Sequence, residues 1–234
     1  SPGIVDGIAR LGVDRARVAM IPNGCDLGIF AGADTPPWRP SGVAASDLMA
    51  VFAGTHGQAN GLDAVLAAAS VLKVRGRADI KIVLIGEGRE KLRLEARAHD
   101  QGLDNVLFHA PIDKALLAGL MAATDLGLQC LANVPAFYYG TSPNKFFDYI
   151  AAGRPVLINY PGWVADLIRD ANCGFAVLPD DPDAFGDVLE QAADDRAKLR
   201  RMGENARTLA RHSFDRHQLA ARWVSWVING VDQP

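Results

Sequence analysis

Cysteine is scarce in this sequence, and a block of positive charge is missing from it. The 234 residues hold three cysteines, Cys25, Cys130 and Cys173. They are too far apart, and wrong in number, for a disulfide framework or a CxxC metal site. Buried structural thiols in a reducing, cytoplasmic setting are expected. With 24 Lys and Arg against 27 Asp and Glu the net charge is −3. The clustered cations that phosphate neutralisation requires are not evident, which argues against nucleic acid as a partner. No apolar run approaches the ~20 residues that cross a bilayer, and no signal peptide opens the chain. The chain starts Ser1-Pro2-Gly3 without Met, which reads as a fragment or a processed form.

Hydrophobic residues make up 49% and charged ones 22%, an ordinary globular balance with enough apolar surface for a core. Short apolar runs alternate with helical patterns. Val18–Ile21, Leu48–Ala53, Ile80–Ile85, Val106–Phe108, Leu126–Cys130, Pro155–Ile158 and Phe175–Leu178 read as buried strands. Leu62, Val65, Leu66, Ala69 and Leu72 recur at helical spacing, as do Phe185, Val188, Leu189 and Ala192. This alternation predicts an α/β fold, a Rossmann-like doubly wound parallel sheet with ligands beyond the carboxyl ends of its strands. The predicted division is an interdomain-derived segment with a first strand (1–30), a proline-bearing connector (31–46), the main domain (47–212) and a C-terminal helix (213–234). That last helix carries Leu219, Trp223, Trp226 and Val227 on one face. It either packs on its own domain or crosses to a partner, with Trp223 expected inside and Trp226 outside.

One stretch carries most of the chemistry: Gly140-Thr141-Ser142-Pro143-Asn144-Lys145-Phe146-Phe147-Asp148, running on to Gly153-Arg154-Pro155. Ser142 suits an N-cap and Pro143 the first helical position, with Gly153 closing the helix. A loop followed by a helix N-terminus presents unpaired N–H groups to an anion, and Lys145 adds a positive charge there. Asp148, one turn beyond Asn144, has the chemistry to accept hydrogen bonds from two vicinal hydroxyls. Taken alone, the stretch is equally a capped surface helix. The Gly86-Glu87-Gly88 turn lacks the third glycine of a dinucleotide fingerprint and reads as a tight turn beside a pocket. Asn133, Tyr138 and Tyr139 either contact a ligand or pack their loop.

These residues, with four further stretches in order, resemble the donor half of the retaining glycosyltransferases grouped as family four, which have the two-domain GT-B architecture. The stretches are Ile21-Pro22-Asn23-Gly24-Cys25-Asp26 with Phe30, Phe52-Ala53-Gly54-Thr55-His56-Gly57 with Asn60-Gly61-Leu62-Asp63, Leu84-Ile85-Gly86-Glu87-Gly88, and Val106 through Ile112 with Ala123-Thr124-Asp125-Leu126. The resemblance implies a nucleotide-diphosphate sugar, in all expectation UDP-linked, passed to a polysaccharide or lipid-linked acceptor. The backbone at Ile112 would meet the base, Asp148 the ribose, and Gly54, Thr55, Asn60, Gly140, Thr141, Ser142, Asn144 and Lys145 the diphosphate and sugar. No metal and no cofactor beyond the donor itself is implied. The partner is an N-terminal acceptor domain absent from this chain, and peripheral contact of the whole enzyme with a membrane is compatible with such acceptors.

Three positions depart from the family pattern. Thr55 and Asn60 stand where many relatives carry an Arg and a Lys, and Gly140 stands where the first of two glutamates is usual. The second glutamate is Asp148, shorter by roughly 1.5 Å. Lys145 and His56 are therefore the candidate catalytic cations, His56 either partly replacing the lost charge or remaining a neutral loop histidine. A similar Ser-Pro-x-Lys helix start in a branch that builds surface polysaccharides, lipopolysaccharide among them, points to hexosyl or N-acetylhexosaminyl transfer. The alternatives are a nucleotide-sugar epimerase of the same fold and a non-catalytic nucleotide-binding module. The fragment alone is expected to transfer nothing.

Overall fold

The computed structural model describes residues 1–31 and 36–228. Six strands form one parallel sheet: β1 Leu48–Ala53, β2 Ile80–Ile85, β3 Val106–His109, β4 Leu126–Gln129, β5 Val156–Ile158 and β6 Gly174–Ala176. Their spatial order is β3-β2-β1-β4-β5-β6, so the order in which successive strands are added reverses between β1 and β4, every strand staying parallel. The helices are α1 Pro2–Arg10, α2 Leu27–Ala31, α3 Asp63–Val74, α4 Lys91–Asp100, α5 Lys114–Ala123, α6 Pro135–Tyr138, α7 Asn144–Ala151, α8 Trp163–Asp170, α9 Pro182–Asp194, α10 Arg196–Ser213 and α11 Arg216–Ile228.

Strand periodicity sorts the core into two layers. Leu48, Ala50 and Phe52 of β1 face one way, toward Val65, Leu66 and Leu72 of α3, Leu94 of α4 and Leu189 of α9. Met49 and Val51 face the other, toward Leu120 of α5, Phe146 and Ile150 of α7, Val164 of α8 and Ala206 of α10. Aspartates start three of these helices by accepting a backbone N–H: Asp113 from Leu116, Asp181 from Ala184 and Asp195 from Lys198. Each such cap contributes about 1 kcal/mol. All three cysteines are buried free thiols, as the sequence suggests, and burial pushes each up to about 12.

Four expectations need correction. Val18–Ile21 is not a strand; among the described residues no sheet strand pairs with it, and the one backbone bridge of this segment is Cys25 to Asp215. The last strand is Gly174–Ala176, so Val177 and Leu178 fall beyond it. α7 begins at Asn144 without a side-chain cap, because the Ser142 hydroxyl instead accepts from the Asn23 N–H at 3.4 Å. Trp223 is 54% exposed and Trp226 40%, so the first is not packed inside. α11 touches the domain core through Leu219 and then leaves it. In the predicted connector, residues 32–35 lie outside the described residues. The rest is pinned by Trp38, whose indole donates to the Leu116 carbonyl at 2.9 Å, and by Arg39, which pairs with Asp125 at 2.9 Å.

β1 and β4 are paired only at Ala50–Leu126 and Val51–Gly127. Beyond that point the strands part, and the Tyr149 hydroxyl fills the gap. It accepts from the Ala53 N–H at 3.1 Å and donates to the Leu128 carbonyl at 3.3 Å. Gly127 makes room for the phenol ring, since a Cβ there would lie 2.5 Å from it. Replacing Tyr149 with Phe should cost about 1–3 kcal/mol in urea denaturation, because two backbone groups lose their partner in a dry site. An unchanged midpoint would mean that water or a strand shift satisfies them. Quenching with acrylamide should reach both Trp223 and Trp226, and a shielded pair would show that α11 is covered in solution.

Candidate functional site

The carboxyl ends of β1, β2 and β3 surround a hollow of about 380 Å³ lined by Gly54, Thr55, Gly86, Glu87, Pro111 and Ile112, among others. Two loops interlock to make it. The His56 N–H donates to the Glu87 carbonyl at 2.8 Å, and the Glu90 N–H donates back to the His56 carbonyl at 3.0 Å. Gly86 permits this approach: a Cβ there would sit 1.9 Å from the Gly54 carbonyl oxygen. Lys91 ties the strand ends together, donating to the carbonyls of Gly86 at 3.0 Å and His109 at 3.3 Å. Nothing in the spacing of Lys91 signals this role in the sequence.

The loop before α7 is held from three sides. The Asn23 amide donates to the Ser142 carbonyl at 2.8 Å and to Asn144 Oδ1 at 2.9 Å. The Trp163 indole donates to the Thr141 carbonyl at 2.6 Å, while the Thr141 hydroxyl is spent on the Phe137 carbonyl at 2.9 Å. Ser1 Oγ donates to the Gly140 carbonyl at 2.9 Å. The backbone N–H groups of Asn144 and Lys145, first in α7, have no partner among the described residues, as expected of a helix start.

Lys145 leans from this helix start across Gly54. Its ammonium lies 4.8 Å from the centroid of the Phe52 ring and donates to Asn60 Oδ1 at 3.1 Å. Asn60 in turn donates to the Thr55 carbonyl at 2.7 Å. A Cβ on Gly54 would meet Lys145 Cδ at 3.1 Å. Burial holds the Lys145 pKa below the ordinary lysine value, and no carboxylate pairs with it among the described residues. Lys145, Asn60, Thr55 and Gly54 therefore form one connected group.

His56 does not join it. The ring is 0% exposed and lies between Phe52 and Phe108, with centroids 6.1 Å from each. Neither ring nitrogen makes a well-formed hydrogen bond, although the Ile85 carbonyl acts on the ring. Burial first, and the charge of Lys91 second, lower its pKa. A neutral ring inside the core supplies no cation to a ligand, so His56 is withdrawn as a catalytic candidate, and its backbone matters instead. Asn133 and Tyr138 bond one another, and Asn133 also reaches Asp180, so both pack their loop. Tyr139 is exposed. The one Asp-x-Asp spacing in the chain, Asp181-Pro182-Asp183, is structural: Asp181 caps α9 and Asp183 pairs with Arg75 at 3.0 Å.

Asp148, one turn into α7, is half-buried beside the first turn of α5. Burial raises its pKa above the ordinary 3.8, Lys114 and Arg216 oppose the rise, and Asp26 adds to it.

With this geometry in view, comparison with known proteins is decisive. The model of the glycosyl transferases group 1 family matches residues 37–209. This chain belongs to that family. The D-inositol 3-phosphate glycosyltransferase of Xylanimonas cellulosilytica is 29% identical over 227 residues, covering 88% of this chain and 50% of that protein. The MMP alpha-(1->4)-mannosyltransferase of Mycolicibacterium hassiacum is 24% identical, covering 83% of this chain and 46% of that protein. The chain thus spans about half the length of the curated relatives it matches. Among solved structures, WaaG, a glycosyltransferase involved in lipopolysaccharide biosynthesis, superposes with a TM-score of 0.74 at 22% identity, over 97% of this chain and 60% of WaaG. Anabaena HepE in complex with UDP gives 0.77 at 17% identity, over 97% and 61%. These likenesses bear out the Rossmann-like fold and the resemblance to the GT-B donor half. No helix among the described residues is long and apolar enough to cross a membrane.

The raised pKa of Asp148 sets a measurable trade-off. A carboxyl whose pKa is higher folded than unfolded binds protons more readily when folded, so its ionisation lowers stability as pH rises through the interval between the two values. Asp148→Asn should therefore raise the melting temperature at neutral pH. That gain should shrink as pH falls toward 3.8, the ordinary Asp value. A variant that melts lower at neutral pH would show that the carboxylate is stabilised by its neighbours.

Proposed function

We propose that this chain is the donor-binding half of a retaining glycosyltransferase that takes a nucleotide-diphosphate sugar, UDP-linked, and passes a hexosyl or N-acetylhexosaminyl group to a polysaccharide or lipid-linked acceptor. The observation that carries the reading is the Lys145 ammonium. It is withdrawn from water over Gly54, beside the free N–H groups of α7, with a neutral amide and a ring face as neighbours and no carboxylate. Burying a charge without a counterion is costly, and a bound anion would relieve that cost. A diphosphate at the helix start would receive both the amides and the ammonium.

The remaining roles follow from position. The base would enter the hollow at Pro111 and Ile112, and the ribose would meet Asp148. As the sugar leaves, negative charge develops on the distal phosphate, and Lys145 with the Asn144 and Lys145 amides would stabilise it. An ammonium reaching over from α7 would then stand in for the Arg and Lys that Thr55 and Asn60 replace. The N-terminal domain of the whole enzyme would bring the acceptor and exclude water, and the chain by itself would bind donor without transferring sugar. Peripheral membrane contact would belong to the whole enzyme. The named relatives are glycosyltransferases, which favours transfer over the epimerase alternative.

Calorimetric titration with UDP tests the reading. Binding should persist in EDTA, and Lys145→Met should weaken it by about 1.5–3 kcal/mol, the worth of a charge-assisted hydrogen bond. Asp148→Ala should cost a similar amount. No UDP binding by the folded chain, or full affinity in Lys145→Met, would refute the assignment.

A further inference from the structure

A second hollow, larger than the one beside Gly54, lies away from the carboxyl ends of the strands. A cleft of about 650 Å³ opens at the amino ends of β1, β4 and β5, beside Ser46, Asp125 and Pro155. β1 alone has six residues, so roughly 20 Å of sheet separates this cleft from the Gly54 loop. Five arginines line it: Arg154, Arg196, Arg200, Arg207 and Arg211, against the acids Asp125 and Glu204. Four come from α10, spaced by four, seven and four residues, which places them along one face of the helix. α10 is itself basic, with Glu204 its one acid, and folding adds Arg154 from just beyond α7 to the arginines of its cleft face.

The arginines here differ from those on the α3–α9 face. There Arg75 pairs with Asp183, Asp187 and Glu190, and Arg77 with Asp79 and Asp194. In the cleft only Arg196 is paired, with Asp125 at 3.0 Å, and that carboxylate also serves Arg39. Arg154, Arg200, Arg207 and Arg211 make no ion pair among the described residues. Arg154 is mostly buried. Its Nη atoms donate to the carbonyls of Ala122 at 2.9 Å and Thr124 at 3.0 Å, and its Nε is buried without a partner. Arg207 closes over it, donating to the Ala152 carbonyl at 3.4 Å. Like charges held together in a concave, partly dry site raise one another's energy unless an anion joins them.

We infer that this cleft binds a ligand carrying two or more phosphate charges, at a site separate from the donor crevice. Guanidinium groups suit such a ligand because their paired N–H donors match phosphate oxygens. The phosphates belong either to a soluble phosphorylated compound or to a lipid headgroup, and both share this chemistry.

Inorganic tripolyphosphate, titrated calorimetrically, probes the first source, and flotation with phosphatidylglycerol vesicles against phosphatidylcholine vesicles probes the second. Arg200→Ala/Arg211→Ala is the test variant, because both residues are exposed and their side chains form no ion pair or hydrogen bond among the described residues. It should weaken whichever probe binds by about tenfold or more, as loss of two charged donors implies. Lys145→Met should leave the part of that binding that depends on Arg200 and Arg211 intact. Tripolyphosphate binding lost in the double variant assigns a soluble ligand, and vesicle binding lost in it assigns a lipid headgroup. The inference is overturned if neither probe binds, if the double variant binds as wild type does, or if Lys145→Met removes the binding instead.

Discussion

A parallel sheet whose order reverses must leave a gap between the two strands at the reversal, and backbone groups facing that gap have no strand to pair with. Here the gap begins just past Val51 and Gly127, and one phenol closes it. Tyr149 satisfies the Ala53 N–H and the Leu128 carbonyl together, and it does so from α7. The helix is thereby fixed against the parting strands. Lys145 lies four residues earlier, one turn toward the N-terminus on the same face, so anchoring Tyr149 also aims Lys145 over Gly54. The free amides of the helix start come to the same place. Ligand crevices at such reversals are general to open α/β sheets; the Tyr149–Gly127 fit is how this chain builds its own.

Charge is distributed unevenly around that frame. On the face formed by α3, α4 and α9, carboxylates and arginines are matched in networks, Asp63 with Arg93 and Arg97 being one case. Such exposed pairs contribute little individually. Two concave places among the described residues break the matching: the ammonium of Lys145 at the carboxyl ends of the strands, and the arginines around Arg154 at the amino ends. Unmatched cations in concave or buried positions lower stability, which is why both proposed ligand sites fall there.

The sheet was legible because buried strands leave continuous apolar runs. Leu48–Ala53 and Ile80–Ile85 were placed to the residue, and the others differ by one or two at their ends. Val18–Ile21 has the same composition, yet it forms no strand, since an apolar run becomes a strand only where a neighbour offers a hydrogen-bonding edge. Ser142 has the chemistry of a cap, but Asn23, far away in sequence, occupies the loop and changes its use. In the sequence His56 is either a stand-in cation or a neutral loop histidine. Phe52 and Phe108 enclose it, and only the packing of β1 beside β2 and β3 could reveal that.

By itself the sequence determined the class of fold, the parallel sheet, a helix start after the Gly140 loop and the family, because these rest on periodicity and on local motifs. It named Lys145 and Asn60 without relating them. Tertiary structure alone decided that Lys145 reaches over Gly54 to Asn60, that His56 is buried and neutral, and that five arginines line one cleft. Those outcomes depend on which side chains from distant segments share a dielectric environment, and burial and charge coupling are properties of three-dimensional neighbours rather than of spacing along the chain.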